Sequence, residues 1–302
     1  VCTGINRISN SEVSCVVEAE EHANNVATRQ LRPGVRIYAL APALTVFVAF
    51  WAIPFVYLVV MGAEPDNSTH LNAYLTVLTR SRYLSSLGTT LLLSAVVSVV
   101  AVAISAVVAC YLARHAVPGK GVLLALLTFP LAFPGVVVGF LMVMLGGRQG
   151  LLAQLSVLLT GERFTFAYSL GGLFLGYLYF SIPRVIMTLY AACEKLDISL
   201  EEAARAMGAG PLQITRDVII PGLAPALIAS TALCFATSVG AFGTAFTLGT
   251  QLNVLPLTIY GEFTNYANFA TAAALSVILG VITWAVLLLA RRLTEIPAGG
   301  SA

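Results

Sequence analysis

Six apolar stretches, at roughly residues 38–61, 87–113, 121–145, 166–191, 220–248 and 272–290, constrain this chain more than any other feature. Each has about the length of the ~20 apolar residues that carry an α-helix across a bilayer. Backbone in lipid must satisfy its own hydrogen bonds, which leaves helices or closed barrels. None of the six stretches alternates polar and apolar residues as a barrel strand does. The expected class is therefore an all-α integral membrane protein with six transmembrane helices. Charged residues make up only 10% of the chain, against about 25% in soluble domains.

Lys and Arg near the span ends set the orientation. Arg29, Arg32, Arg36, Arg114, Lys120, Lys195, Arg205, Arg216, Arg291 and Arg292 flank one side; Arg80, Arg82, Arg148 and Arg163 flank the other. The positive-inside bias predicts both termini and the loop 192–219 in the cytoplasm. Residues 1–37 are polar and irregular and read as a disordered cytosolic tail, 38–292 as the membrane domain, and 293–302 as a second cytosolic tail.

Several functions are argued against by what the spans lack. The histidines, His22, His70 and His115, fall in tails or loops, so no catalytic constellation is visible. Every Asp and Glu lies outside the span cores, which speaks against ion-coupled transport. The five cysteines are scattered without a CxxC pair, so no disulfide or metal site is expected, and Cys110 and Cys234 read as small packing residues. Gly119-Lys120 is followed by Gly121, and Arg114 stands where a phosphate cradle needs glycine, so this chain is not expected to bind ATP. No basic block points to nucleic acid.

The loop after the fourth span has its own local order. Ser199-Leu200-Glu201-Glu202 has the S-x-x-E form of a capping box, which predicts a helix with Ser199 as N-cap. Leu200, Ala203, Ala204 and Met207 then form one apolar stripe. Gly208 and Gly210 permit a turn, Pro211 opens a second helix running to about Ile219, and Pro221 is expected to end it. A helix–turn–helix with an exposed apolar stripe suits insertion into a partner's groove. The small Ala203 and Ala204 permit close approach, and Glu202 can cap the helix or reach a partner's cation.

Glu202-Ala203-Ala204, three residues, Gly208, nine residues, then Val218-x-Ile220-Pro221 resembles the "EAA" coupling loop of permease subunits of bacterial ATP-binding-cassette (ABC) importers. That pattern reads E-A-A-x3-G-x9-I-x-L-P, and Val218 and Ile220 are its only departures here. The resemblance covers about residues 84–292, with the coupling loop at 192–221. It implies a non-catalytic permease in the bacterial cytoplasmic membrane, forming half of a solute pathway. It implies as partners a second permease, identical or homologous, two ATPase subunits that hold ATP and Mg, and an extracytoplasmic solute-binding protein.

Residues 240–249 (GAFGTAFTLG), with Asn253-Val254-Leu255 and Ile259-Tyr260-x-Glu262-Phe263, are similar to spermidine/putrescine permeases, as is Glu194-Lys195-Leu196-Asp197. The resemblance thus implies polyamine import; thiamine, phosphonate, ferric iron, sulfate and molybdate serve close relatives. Tyr177, Tyr179, Phe242 and Tyr260 can line an amine pathway through cation–π contacts or pack between helices. Glu262 reads as an external carboxylate that attracts a cation or is simply solvated. Arg184, inside the fourth span, has three readings: snorkelling to phosphates, pairing with Glu194 or a partner carboxylate, or facing the pathway. Gly135-x3-Gly139 and Gly172-x3-Gly176 are small-x3-small patterns for close helix packing, and Pro130, Pro134, Pro183 and Pro225 read as kinks or hinges within spans.

Overall fold

A computed structural model describes residues 41–65, 72–249 and 252–295. The proposed N-terminal tail and most of the C-terminal tail lie outside the described residues. The chain divides into two compact units, one up to Tyr57 and one from Leu58 on. Among the described residues the structure is helical, with an isolated bridge between Pro65 and Asn72.

The helix α1 (Ala41–Met61) carries a π-turn at Val48–Ala52. Phe47, Trp51 and Phe55 stack along it, with ring centroids 4.8 and 5.4 Å apart, as side chains four residues apart do on a helix.

The second unit is built on two long helices, α3 (Ser81–Arg114) and α7 (Leu170–Lys195), after the short α2 (Ala73–Thr79). At 1.5 Å per residue α3 runs about 51 Å, more than a hydrocarbon core needs. Its buried face includes a row of small side chains (Ser94, Ser98, Ala101, Ser105 and Ala109). Small side chains at helical spacing let α3 lie close against α7, which matters in lipid because hydrophobicity does not itself drive helices together. Valines, leucines and Tyr177 fill the rest of this core.

Two of the expected spans are broken. Residues 120–146 form α4 (Lys120–Thr128), a 3-10 turn (Phe129–Ala132) and α5 (Gly135–Gly146). Pro134 cannot donate and pushes Phe133 into an extended conformation (φ −87°, ψ 129°), which ends the helix. Lys120 lies beside Glu194 at the end of α7, while Gly146 accepts hydrogen bonds from Phe166 and Ala167 at its start. This segment therefore runs the length of α7, as expected of a crossing, with its break part-way. Helix α6 (Leu151–Thr160) follows after a turn at Gly147–Gly150; by length and apolarity alone α5 and α6 together also qualify as a span.

The fifth span likewise stops short of its expected end. Helix α9 (Pro211–Val239) ends at Gly240, and α10 (Phe242–Leu248) begins after Ala241 (φ −77°, ψ 73°). The remaining helices are α8 (Ile198–Ala206), α11 (Leu255–Thr264) and α12 (Phe269–Glu295). Pro183 and Pro225 sit inside continuous helices, unlike Pro134.

The two breaks meet. The Thr244 hydroxyl donates to the Gly135 carbonyl at 2.9 Å. A Cβ on Gly139 would lie 1.5 Å from Thr247 Oγ1, and one on Gly243 would lie 3.0 Å from the Val136 nitrogen. Gly135-x3-Gly139 thus does serve helix–helix packing. Of the second pair, Gly176 faces the Thr244 methyl, but Gly172 faces the carbonyls of Phe166 and Ala167 in its own entry turn.

Candidate functional site

Helix α8 starts two residues earlier than the S-x-x-E pattern predicts. Its N-cap is Asp197, whose side chain accepts from the Ser199 backbone N–H at 2.9 Å. Ser199 is inside the helix, and Glu202 is too far along to close a capping box. The hydrogen bonds from the Ser199 backbone, and then from its side chain, hold the Asp197 carboxyl below the usual range.

The helix presents two faces rather than one stripe. Leu200, Glu202, Ala203 and Met207 are exposed, whereas Ala204 and Glu201 are buried against the bundle. Glu201, only 5% exposed at its side chain, lies 2.6 Å from the Arg114 guanidinium at the end of α3. This is a charge contact rather than a well-angled hydrogen bond, since Glu201 Oε1 is buried without a partner in hydrogen-bond geometry. Arg114 also donates to the Leu196 carbonyl at 3.3 Å, and Arg205 approaches Glu201 from the outside at 3.8 Å. Leu196 packs where a Cβ on Gly222 would come within 2.5 Å. The loop is therefore fastened to α3 and α9 at two points.

Gly208 (φ +87°) turns the chain after α8. Gly208 N–H reaches Arg205 and Ala209 N–H reaches Ala204, the paired bonds of a Schellman stop. Pro211 opens the next helix, with Gln213 accepting from the Gly210 N–H at 3.0 Å. Pro221 does not end that helix. A π-turn at Thr215–Ile219, in which Ile220 N–H reaches back to Thr215, widens the coil, and α9 continues through Pro221 into the bundle. A widened turn spares the proline ring the usual clash. Ile198, Leu200, Met207 and Leu212 remain 53–83% exposed on this loop, an apolar patch of the kind that marks an interaction site.

Deeper in the bundle, the two helix breaks border a cavity of about 510 Å³ lined by Phe133, Gly135, Phe180, Arg184, Thr237 and Phe242, among others. Arg184 lies eleven residues before the end of α7, about 16 Å of helix. Its guanidinium makes no ion pair or hydrogen bond among the described residues. Glu194 is not its partner: that carboxylate pairs with Lys120 at 3.9 Å and accepts from Tyr190.

With this geometry in view, the sequence matches the family model described as "Binding-protein-dependent transport system inner membrane component" over residues 105–296. The chain belongs to this family of ABC-importer permeases. It is 30% identical to the sulfate transport system permease protein CysT of Salmonella typhimurium, over 84% of this chain and 90% of that protein. It is 33% identical to the molybdenum transport system permease protein ModB of Escherichia coli K12, over 55% of this chain and 74% of that protein. A chloroplastic sulfate permease of Chlamydomonas reinhardtii is 30% identical over 80% of this chain, which spans 62% of that relative's length. The fold matches the crystal structure of a bacterial alginate ABC transporter with a TM-score of 0.74, at 17% identity, covering 86% of this chain and 95% of that one.

The permease is a non-catalytic membrane subunit, as its relatives are. Sulfate and molybdate relatives do not support the polyamine expectation and agree with the sulfate alternative. Other residues singled out in the sequence scatter. Tyr177 is buried and donates to the Ala241 carbonyl at 3.0 Å, satisfying backbone that the α9 break exposes. Tyr179 packs against the core, and Phe242, Phe246 and Tyr260 cluster with centroids 5.2–5.4 Å apart.

Glu262 is neither solvated nor poised for a passing cation. It is 3% exposed on α11, accepts from the Tyr83 hydroxyl at 3.1 Å, and lies 3.8 Å from Arg82. It ties α11 to the start of α3; further along the same pair of helices, the Thr90 hydroxyl accepts from the Leu255 N–H at 2.7 Å. Sequence reasoning passed over Glu201, Arg114 and Asp197 as site residues. An acidic residue before the S-x-x-E run was the visible signal for Asp197; nothing local marked the Arg114 pairing. Cys110 and Cys193 also meet, 3.0 Å apart, between α3 and α7. Among the described residues no cluster of His, Cys, Asp or Glu is arranged for a metal.

Proposed function

We propose that this permease forms half of the translocation pathway of a cytoplasmic-membrane ABC importer for a tetrahedral oxyanion, sulfate or molybdate. The observation that carries the reading is the relationship to the CysT and ModB permeases, including near-complete coverage of the former. The bundle's chemistry supports it: an unpaired arginine at depth favours an anion, and the acidic Glu262 that would have favoured an amine is engaged elsewhere.

The remaining parts are supplied by partners. Separate ATPase subunits hold ATP and Mg, a second permease completes the pathway, and an external binding protein delivers the solute. The exposed face of α8, with Leu200, Glu202, Ala203 and Met207, docks on the ATPase. The buried face, through Glu201 and Arg114, passes the displacement to α3. Proline and glycine at the loop ends, Pro211 and Gly208, keep the two segments distinct.

The test is uptake by proteoliposomes holding the complex purified with its ATPase and supplied with its binding protein. Radiolabelled sulfate or molybdate should accumulate only with ATP, and spermidine should not. Accumulation of spermidine with neither oxyanion would overturn the reading.

A further inference from the structure

We infer that the cavity at the crossed helix breaks is a solute station within the membrane, at which Arg184 selects for a divalent oxyanion. The inference rests on the oxyanion reading above and adds the residue and place of selection.

Three observations converge there. First, among the described residues Arg184 is the only charged one lining the cavity, and no acidic side chain lines it. A cation at this depth is costly unless something of opposite charge meets it. Neither Glu194, held by Lys120, nor Glu201, held by Arg114, supplies that charge. A passing anion does so transiently, which leaves the site empty-handed between cycles rather than permanently filled.

Second, Arg184 sits well inside its helix. Snorkelling serves arginines near helix ends, and about 16 Å of helix separates Arg184 from the end of α7. Third, the surrounding backbone is irregular where irregularity is tolerated only beside protein or a polar cavity. The chain breaks at Phe133–Pro134 and again at Gly240–Ala241, and both breaks border the cavity. Discontinuous helices near the bilayer midplane are the places where other transporters hold their solutes.

The chemistry defines the ligand class. A guanidinium presents a planar fork of N–H donors that matches two oxygens of a tetrahedral oxyanion. The Thr237 and Thr244 hydroxyls, also on the lining, already donate to backbone carbonyls. They remain acceptors, so the arginine is the principal anion donor among these side chains.

The experiment compares Arg184→Lys, Arg184→Gln and Arg184→Glu in proteoliposomes, scoring assembly by co-purification of the ATPase. Initial uptake of sulfate and molybdate should fall in the order Lys, Gln, Glu. Lys, which keeps the charge but loses the fork, should fall severalfold, and Gln should fall at least tenfold at equal assembly. Parent-level uptake by Arg184→Gln would overturn the inference and assign the guanidinium to a resident anion such as a lipid phosphate. If Arg184→Gln fails to assemble, Arg184→Lys decides: an assembled Lys variant with parent-level uptake also overturns it, because the fork would then select nothing. A parent complex that carries neither oxyanion would instead defeat the proposed function, which separates the two failures.

Discussion

Replacing Arg114 with alanine removes one half of the contact that fastens the coupling helix to the bundle. In the parent, Glu201 at 5% and Arg114 at 16% side-chain exposure meet at 2.6 Å. Breaking a buried pair by deleting one partner typically costs about 3–5 kcal/mol, because the other charge is stranded. Two features lower the figure here. Arg205 stays 3.8 Å from Glu201, although at 66% exposure it compensates weakly. The Glu201 contact also lacks a well-angled hydrogen bond. About 2–3 kcal/mol of docking free energy should therefore be lost, roughly 30- to 150-fold in the docked population.

Amide hydrogen exchange in nanodiscs reads this directly, since protection reports local opening. Amides of α8 (Ile198–Ala206) should exchange roughly 30- to 150-fold faster in Arg114→Ala, while those in the middle of α3 should not change. The double variant Arg114→Met with Glu201→Met should recover much of the protection, because no buried charge remains unpaired. Unchanged α8 exchange in Arg114→Ala, or a double variant as damaged as the sum of the two single variants, would refute the reasoning.

Other consequences follow from single residues. Gly208 has open space around it but a φ of +87°, so Gly208→Leu should cost about 1–2 kcal/mol of backbone strain and reduce uptake. Gly208→Asn, which tolerates that region, should retain most of it; equal uptake by all three forms would show that the turn does not matter. Gly139→Ala should destabilise the α5–α10 crossing by about 1–3 kcal/mol or more, because its Cβ would collide with Thr247. The midpoint of thermal unfolding in detergent measures this, and an unchanged midpoint would contradict the packing. Asp197 has a lowered folded pKa because Ser199 donates to its carboxylate, so its cap contributes stability above the unfolded value of about 3.9 and loses it as pH falls through the lower folded value. The Ser199 amide resonance should titrate with a midpoint below about 3.9 and stop titrating in Asp197→Asn; a midpoint at or above that value would remove the cap.

Hydropathy and local turn chemistry by themselves determined the class, the number of crossings and the outline of the loop. Apolar length reports the surrounding medium whatever the neighbours are, so the described residues hold six helical segments of membrane length, although the stretch 121–145 is itself broken at Phe133–Pro134. Gly208 and Pro211 likewise act through their own backbone, one permitting a positive φ and the other opening a helix, and both stand where their residue types require. Tertiary structure decided the rest. The charge meeting at Arg114 buries Glu201 rather than Glu202, turning the expected stripe into two faces. Pro134 interrupts its span whereas Pro183 and Pro225 do not, and Gly240 ends a helix although its neighbours are apolar. Glu262 left its expected place in water because Tyr83 and Arg82 receive it. In lipid, the outward and inward faces of a helix are both apolar, so periodicity reveals the membrane but not the neighbour. Only the contacts between distant helices select which polar groups are paired, and they leave Arg184 facing a cavity.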